Sequence, residues 1–518
     1  MAIEIMDTTL RDGEQTMGVS FNPVEKETIA RGLLNEIGVD RIEVASARVS
    51  EGEFEGVRRI TRWAKEKDLL QKIEILAFID GTTSIDWIVS GGGMVANLLC
   101  KGSLKHVREQ LLKTPEQHLD NIRKVIKYAT GKGLQVNLYL EDWSNGMINS
   151  PEYVFFLMDH LKNEPVERFM LPDTLGIFNQ EQTSRFIRQM LNRYPGLHFD
   201  FHAHNDYDLA AANVFAAVRE GIQGIHTTVN GLGERAGNVS LASVIGILND
   251  HLKVPNHLKE ESLTHISRLV ESFSGIRIPA NMPLSGENVF TQTCGVHADG
   301  DSKNNLYFND LLPERFGRKR NYALGKTSGK ANILKNLERI GIQLDPESMQ
   351  KVTRKIIELG DKKEHVTAED LPFIIADVLI REPVNEPVKI VSYSLTLSNG
   401  LKPVANIAIE INGETYKENS VGDGQYDAFM KALWKIYDKL EKSRPVLKDY
   451  VVTIPPGGKT DALVSAAITW EYNGYEFKTR GLEADQTEAA IKATLRMLNI
   501  IESLENNKKK VEKIKHES

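Results

Sequence analysis

The sequence predicts an α/β protein: a (β/α)8 barrel (TIM barrel) in the first half, then helical linker subdomains and a C-terminal α+β module of duplicated βββα units. Three observations predict it. Short apolar, β-branched runs alternate with longer amphipathic stretches at a spacing of about 20–40 residues, the repeat of a βα unit. Eight such runs occupy about 250 residues, which suits a closed parallel barrel. From residue 388 onward a strand-rich stretch ending in one helix occurs twice.

The runs are 3–9, 40–46, 72–79, 94–100, 134–142, 166–172, 198–204 and 224–230, with amphipathic helices such as 24–37 and 115–130 between them. An open doubly wound sheet is the alternative, but its first βα turn needs a phosphate-binding fingerprint. The turn here, Arg11-Asp12-Gly13-Glu14-Gln15, is not one. The barrel is expected over 1–280 and an irregular subdomain, rich in Gly, Asn and Asp, over 281–325. A helical subdomain follows over 326–387, with Thr367 capping a helix at 371–379 and a linker at 381–387. In the module 388–505, helices are expected at 426–440 and 487–504, and Asn399-Gly400, Asn412-Gly413 and Asn473-Gly474 signal hairpins. Residues 506–518 read as a disordered, solvated tail.

Composition narrows the function classes. With 64 Lys+Arg against 71 Asp+Glu the net charge is -7, so neither nucleic acid nor an anionic membrane is an expected partner. No apolar run approaches the roughly 18 residues that span a bilayer, and the first residues lack a signal-peptide pattern. Two cysteines, Cys100 and Cys294, exclude a disulfide framework and favour a reducing cytoplasm; neither is given a role.

Barrel enzymes carry their chemistry at the C-terminal ends of the strands. Polar groups recur there: Arg11-Asp12 after the first run, Glu141-Asp142 at the fifth, Asp173-Thr174 at the sixth, and His202-Ala203-His204-Asn205-Asp206 at the seventh. Residues i and i+2 of a strand share a face, so His202 and His204 can address one centre. Asp12 adds a carboxylate and Asn238 a carbonyl oxygen, a donor set that suits a divalent metal. A His-x-His pair alone is more often structural; the strand-end location and Asp12 reverse that. Arg11 is either a surface ion pair or a neutraliser of developing oxyanion charge. Glu141 is a base candidate or a solvated loop carboxylate. His297 lies in a loop, where a lone histidine usually has no catalytic role, and the Gly-rich run 231–237 has the wrong spacing for a dinucleotide site.

Four motifs carry a family resemblance: Asp7-Thr8-Thr9-Leu10-Arg11-Asp12-Gly13-Glu14-Gln15, the His202–Asp206 run (with Ala203 where Gly is usual), Gly231-Leu232-Gly233-Glu234-Arg235-Ala236-Gly237-Asn238, and Gly295-Val296-His297-Ala298-Asp299-Gly300. In this order they resemble the citramalate, 2-isopropylmalate and homocitrate synthases over nearly the whole chain, nearest the citramalate group. The resemblance implies condensation of acetyl-CoA with a small 2-oxo acid. It implies a divalent metal (Mg, Mn or Zn) on Asp12, His202 and His204 with Asn238 in or near the shell, Arg11 on the nascent alkoxide, and Thr174 on the substrate carboxylate. Glu141 or His297 is implied as base, with His297 and Asp299 reaching the site from a partner subunit of a homodimer or larger assembly. Leu306 and Tyr307 are implied to hold acetyl-CoA. Leu76, Leu99 and Tyr139 match pocket positions and are bulky enough to admit only a methyl group, which makes pyruvate the first choice and 2-oxoisovalerate the second. The C-terminal module is similar to the family's regulatory domain, which implies a branched-chain amino-acid effector near Tyr426 and Asp427. A non-catalytic metabolite sensor is the reading from another class; loss of Asp12, His202, His204 or Glu141 would favour it, and all are present.

Overall fold

The computed structural model describes residues 3–361, 387–453, 464–483 and 485–516, together with Val366, Leu371, Ile374, Ile375 and Val378. The expected cap Thr367 and residues 381–386 of the expected linker lie outside the described residues.

The chain divides into two compact units, Met1–Thr291 with Tyr307–Asn321, and Gln292–Leu306 with Tyr322–Ser518. The segment 281–325 is therefore shared between them. The first unit is built on eight strands: β1 Glu4–Asp7, β2 Arg41–Ser46, β3 Ile73–Phe78, β4 Val95–Lys101, β5 Gln135–Glu141, β6 Arg168–Asp173, β7 Phe199–Ala203 and β8 Gly224–Thr227. They pair in parallel, in chain order, and β1 closes the barrel against β8 through Glu4↔Gly224 and Asp7↔Thr227. Each expected run overlaps one strand. The eighth stops at Thr227 because Asn230 takes a left-handed turn at φ 57°.

The helices begin where local chemistry starts them. Pro23–Arg31 opens with a capping box of Asn22 and Glu25, and Pro115–Gly131 with one of Thr114 and Gln117, each with proline in its first turn. The amphipathic stretch 24–37 is helical, widens into a π-turn over Gly32–Ile37 and ends at Gly38. Outward-facing strand residues such as Ile5, Val44, Ile75, Leu98 and Phe201 pack with the helices in one continuous core.

In the second unit, helices Lys330–Arg339 and Pro346–Asp361 pack around Ile333, Leu337, Val352 and Ile356. Two antiparallel sheets follow, β9 Val388–Thr396, β10 Val404–Ile411, β11 Glu414–Val421, and β12 Val446–Thr453, β13 Val464–Tyr472, β14 Tyr475–Glu483. Asn412-Gly413 and Asn473-Gly474 form two-residue hairpins with φ positive at both positions, as a type I′ turn requires. Asn399-Gly400 lies in a longer loop in which only Gly400 turns left-handed. Helices Gln425–Lys439 and Gln486–His516 each follow one sheet, and Phe429, Leu433, Ile468, Trp470 and Met497 join the repeats in one core. The tail expected to be disordered from residue 506 instead continues the last helix to His516, in keeping with its Lys and Glu, which are good helix formers. Among the described residues no helix is long and apolar enough to cross a membrane.

Candidate active site

Just beyond β1 the carbonyl of Thr8 accepts the N–H groups of Arg11, Asp12 and Gly13, curling the chain so that Arg11 and Asp12 sit at the C-terminal mouth of the barrel. His202 lies in β7 and His204 just past its end. Their Nε2 atoms stand 3.6 and 4.0 Å from Asp12 Oδ2, and one donor atom from each of the three residues lies within 4.8 Å of the others. All three side chains are buried. Burial disfavours the Asp12 carboxylate, but Arg11, both histidines and Asn238 outweigh it and hold the group well below the usual carboxylate range. Burial, opposed only in part by Asp12, holds His202 well below the usual imidazole range and lowers His204 too. Two neutral imidazoles and one carboxylate are the protonation states a divalent cation needs. Ligands each about 2.1 Å from one ion stand roughly 3–3.5 Å apart, so the observed separations fit a shared ion after small adjustment. The donor set fits a divalent metal.

Asn238 keeps its expected oxygen donor open: Oδ1 is buried and takes no hydrogen bond among the described residues. Its Nδ2 donates to Asp12 Oδ1 at 2.8 Å and to Leu232 O at 3.0 Å, so it is the amide nitrogen that faces the carboxylate. Two acceptors around that atom fix the orientation of the amide. Asn238 thus aims Asp12. The Gly-rich run 231–237 makes this approach possible: Gly233 has φ 152°, and a Cβ there would come within 2.3 Å of Asn238 Nδ2. Thr16 ties the loop down through hydrogen bonds with both the N–H and the C=O of Gly233.

Arg11 is held from three sides. Nε donates to Glu43 Oε2 at 2.5 Å, Nη1 to Asp12 Oδ2 at 2.6 Å and Nη2 to the Tyr139 hydroxyl at 3.2 Å. Burial and Glu43 push the Tyr139 phenol well above its ordinary value, so it remains a proton donor. The phenol also meets His226 Nδ1 at 3.1 Å, and His226 Nε2 meets Asp200 Oδ2 at 3.1 Å. Asp200 in turn accepts from Arg41, which also donates to Glu74. Glu43 further accepts from Asn97, and Asn97 from Asn137. Sequence reasoning missed this whole layer. Its signal was available: Glu43, Glu74, Asn97, Asn137, Asp200 and His226 are polar residues set among the apolar residues of the strands, and all are buried.

With this geometry in hand, comparison with known proteins is decisive. Residues 2–270 match the model of the HMGL-like family. This chain belongs to the HMGL-like family. Residues 284–364 match a homocitrate synthase post-HMGL domain-like model, and 365–502 match the LeuA allosteric (dimerisation) domain. A Methanopyrus kandleri protein whose name assigns it, provisionally, to the (R)-citramalate synthases is 35% identical over 83% of each chain. A second protein of that organism, named with the same reservation a 2-isopropylmalate synthase, is 34% identical over 96% of this chain and 98% of its own. The (R)-citramalate synthase of Methanocaldococcus jannaschii is 31% identical over 97% of this chain and all of its own. The family resemblance read from four motifs is borne out.

Inside the HMGL-like barrel, the expected pocket residues Leu76, Leu99 and Tyr139 form an apolar group with Met6 and Met170, separate from the main core. Sequence reasoning did not find the two methionines. Thr174 Oγ1 accepts the N–H of Asp142 at 2.9 Å, which leaves its hydroxyl proton to donate. Glu141 ends β5, two residues beyond Tyr139 on the same face, and pairs with Lys101. His297 and Asp299 lie on the short helix Gly295–Asp301 of the second unit, where Asp299 pairs with Lys303. The barrel cluster of Asp12, His202 and His204 is formed without them. Leu306 belongs to the second unit and Tyr307 to the first, and both are exposed. Tyr426 hydrogen-bonds Thr494 at 2.6 Å, and Asp427 accepts the N–H of Asp423 and pairs with Lys431.

Proposed function

We propose that this chain condenses acetyl-CoA with pyruvate and hydrolyses the thioester, giving (R)-citramalate and CoA on the route to isoleucine. The observation that carries the reading is the sharing of Tyr139: its hydroxyl braces Arg11 beside Asp12, while its ring closes the apolar group of Leu76, Leu99, Met6 and Met170. A metal-capable centre thus adjoins a filled apolar floor, which suits a 2-oxo acid with a small side chain.

In this reading Asp12, His202 and His204 hold Mg, Mn or Zn, which supplies Lewis-acid polarisation of the oxo acid when bound. Asn238 keeps Asp12 aimed. Arg11 uses three N–H groups on Glu43, Asp12 and Tyr139 and keeps two to donate to the oxygen that gains charge. Thr174 donates its hydroxyl proton to the substrate carboxylate. Glu141 takes a proton from the acetyl methyl group, the freed carbon pair forms the bond to the oxo carbon, and the oxo oxygen takes up a proton to become hydroxyl. Water then adds to the thioester; the C–S bond breaks, the sulfur leaves with one proton as CoA thiol, and the new carboxyl releases the other. His297 is the alternative base. With Asp299 it is assigned to the site from a second copy of the chain in a homodimer, with Leu306 and Tyr307 on acetyl-CoA; that assignment rests on the motif resemblance. Isoleucine bound at the 388–505 module, near Tyr426 and Asp427, is the proposed effector, in line with the match to an allosteric domain.

The test is the initial rate of CoA release with pyruvate, 2-oxobutyrate and 2-oxoisovalerate. Pyruvate is expected to give the highest kcat/KM. Preference for 2-oxoisovalerate would move the assignment to 2-isopropylmalate synthase, the reading favoured by the near full-length relative of that name and 34% identity. No CoA release with any of them would leave a metabolite sensor.

A further inference from the structure

Lys101 is the last residue of β4 and Glu141 the last of β5, and the two are register partners in the parallel ladder. The ammonium of Lys101 pairs with Glu141 Oε2, and the side chains are only 11% and 25% exposed. The pair stands one step beyond Leu99 and Tyr139, which are register partners on the same inward face. It therefore lies over the apolar floor, at the mouth of the barrel.

The surroundings hold Lys101 in place. Its backbone N–H donates to His118 Nε2 at 3.1 Å, and its carbonyl accepts from the Tyr153 hydroxyl at 3.0 Å. Burial and neighbouring lysines push the His118 imidazole down to about 4, so it is neutral and able to accept. The next residue, Gly102, donates its N–H to Glu141 O at 2.6 Å. Only glycine allows that approach: a Cβ on Gly102 would stand 2.5 Å from Leu140 O. The helices Pro115–Gly131 and Pro151–Leu161, which carry His118 and Tyr153, thus clamp the end of β4 against the end of β5. A largely buried ion pair is weak evidence for a contribution to stability, because desolvation offsets the attraction. A pair so closely braced, at the catalytic end of the barrel, is better explained by what it orients.

We propose that Lys101 is a positioning residue for the condensation: its ammonium, gripping Oε2, fixes the Glu141 carboxylate so that Oε1 faces the acetyl methyl group. This rests on the reading of Glu141 as the base. Lys101 takes no proton in the step; the methyl proton passes to Glu141, and the pair keeps the same net charge arrangement until that transfer.

The test compares K101M, K101R and E141Q in the full-length, metal-loaded enzyme. Turnover is measured with ordinary acetyl-CoA and with acetyl-CoA carrying a trideuterated methyl group. K101M is expected to lower kcat by roughly 10- to 100-fold, the scale of a misplaced catalytic group, with KM for the oxo acid changed by less than about twofold. The deuterium isotope effect on kcat is expected to rise, because proton removal becomes slower than the steps around it. K101R, which keeps the cation, should recover most of the rate. If K101M does not fold, K101Q is read by the same criteria. Wild-type kcat and isotope effect in the neutral variant, with E141Q inactive, would overturn the proposal and leave Lys101 a structural ion pair while Glu141 stays the base. E141Q with wild-type turnover would instead overturn the base assignment, and the role of Lys101 with it.

Discussion

Cutting Leu99 back to alanine is the sharpest test of the substrate assignment. Leu99 pairs in register with Tyr139 and packs against the group of Met6, Leu76, Tyr139 and Met170. It is a cleaner target than Tyr139, whose hydroxyl also braces Arg11. Exchanging the methyl group of pyruvate for the isopropyl group of 2-oxoisovalerate adds two carbons, and forcing them into a filled pocket costs about 1–3 kcal/mol. Leu99→Ala removes more side-chain volume than those carbons need. The clash should disappear, and each added methyl that finds room should gain about 1 kcal/mol. The ratio of kcat/KM for 2-oxoisovalerate over pyruvate should then rise by roughly 3–5 kcal/mol, or about 150- to 5,000-fold. Partial collapse of the pocket would bring the result to the lower end. The assay is CoA release under initial-rate conditions with each oxo acid. Asp12, His202, His204 and Arg11 are untouched, so activity on pyruvate should persist. An unchanged ratio would mean that Leu99 does not border the substrate, and the steric reasoning would fail with it.

Other outcomes follow from the same geometry. Chelation should abolish turnover, and Mg, Mn or Zn should restore it; full activity in metal-free protein would remove Asp12, His202 and His204 from the mechanism. Gly233→Ala should weaken metal binding by about 10- to 100-fold through the Asp12–Asn238 contact, read by titrating metal against the purified variant; unchanged affinity would show that the contact does not aim Asp12. A chain truncated after residue 380 should lose inhibition by isoleucine, for which a coupling of about 1–3 kcal/mol is typical; equal inhibition of the truncated chain would place the effector elsewhere. His118 makes folding acid-sensitive. Burial, with Lys113 and Lys101 nearby, pushes its imidazole down to about 4 from the ordinary 6.5, so the unfolded chain binds the extra proton first as pH falls. Stability is full above about pH 6.5 and declines toward pH 4, by up to roughly 3 kcal/mol. His118→Gln should flatten that part of the Tm–pH curve, and an unaltered slope would assign the acid sensitivity to other groups.

The barrel was legible because alternation of apolar runs and amphipathic helices is imposed along its whole length; a strand that failed to bury its outward face would leave the ring open. Boundaries were less legible where a single backbone angle decides them. Val229 continues the apolar pattern of the eighth strand past Thr227, whereas the chain turns left-handed at Asn230. Amphipathic spacing over 24–37 does not reveal the widening into a π-turn at Gly32–Ile37. In the second unit Asn412-Gly413 and Asn473-Gly474 signalled their turns directly, since both residues adopt the positive φ that such a hairpin demands.

The site divides along similar lines. Asp12, His202 and His204 stood out because metal-capable residues clustered at the ends of strands, and strand ends converge in a barrel. What supports them was hidden in the strands themselves. Glu43, Asn97, Asn137, Asp200 and His226 sit among the apolar residues of five different strands, and taken strand by strand each reads as a tolerated polar residue. Closure turns them toward one another, so that hydrogen bonds run from Arg11 through Tyr139 and His226 to Asp200 and Arg41. Buried polar groups are costly unless partnered, so a polar residue recurring inside successive barrel strands implies a partnered layer even before any register is known. That layer fixes Arg11 and Tyr139 from below, while Gly233 and Asn238 aim Asp12 from the side. Lys101 and Glu141, the last residues of neighbouring strands, carry the same logic to the mouth of the barrel: two opposite charges at equal register are placed to meet, and the residues around them decide what they face.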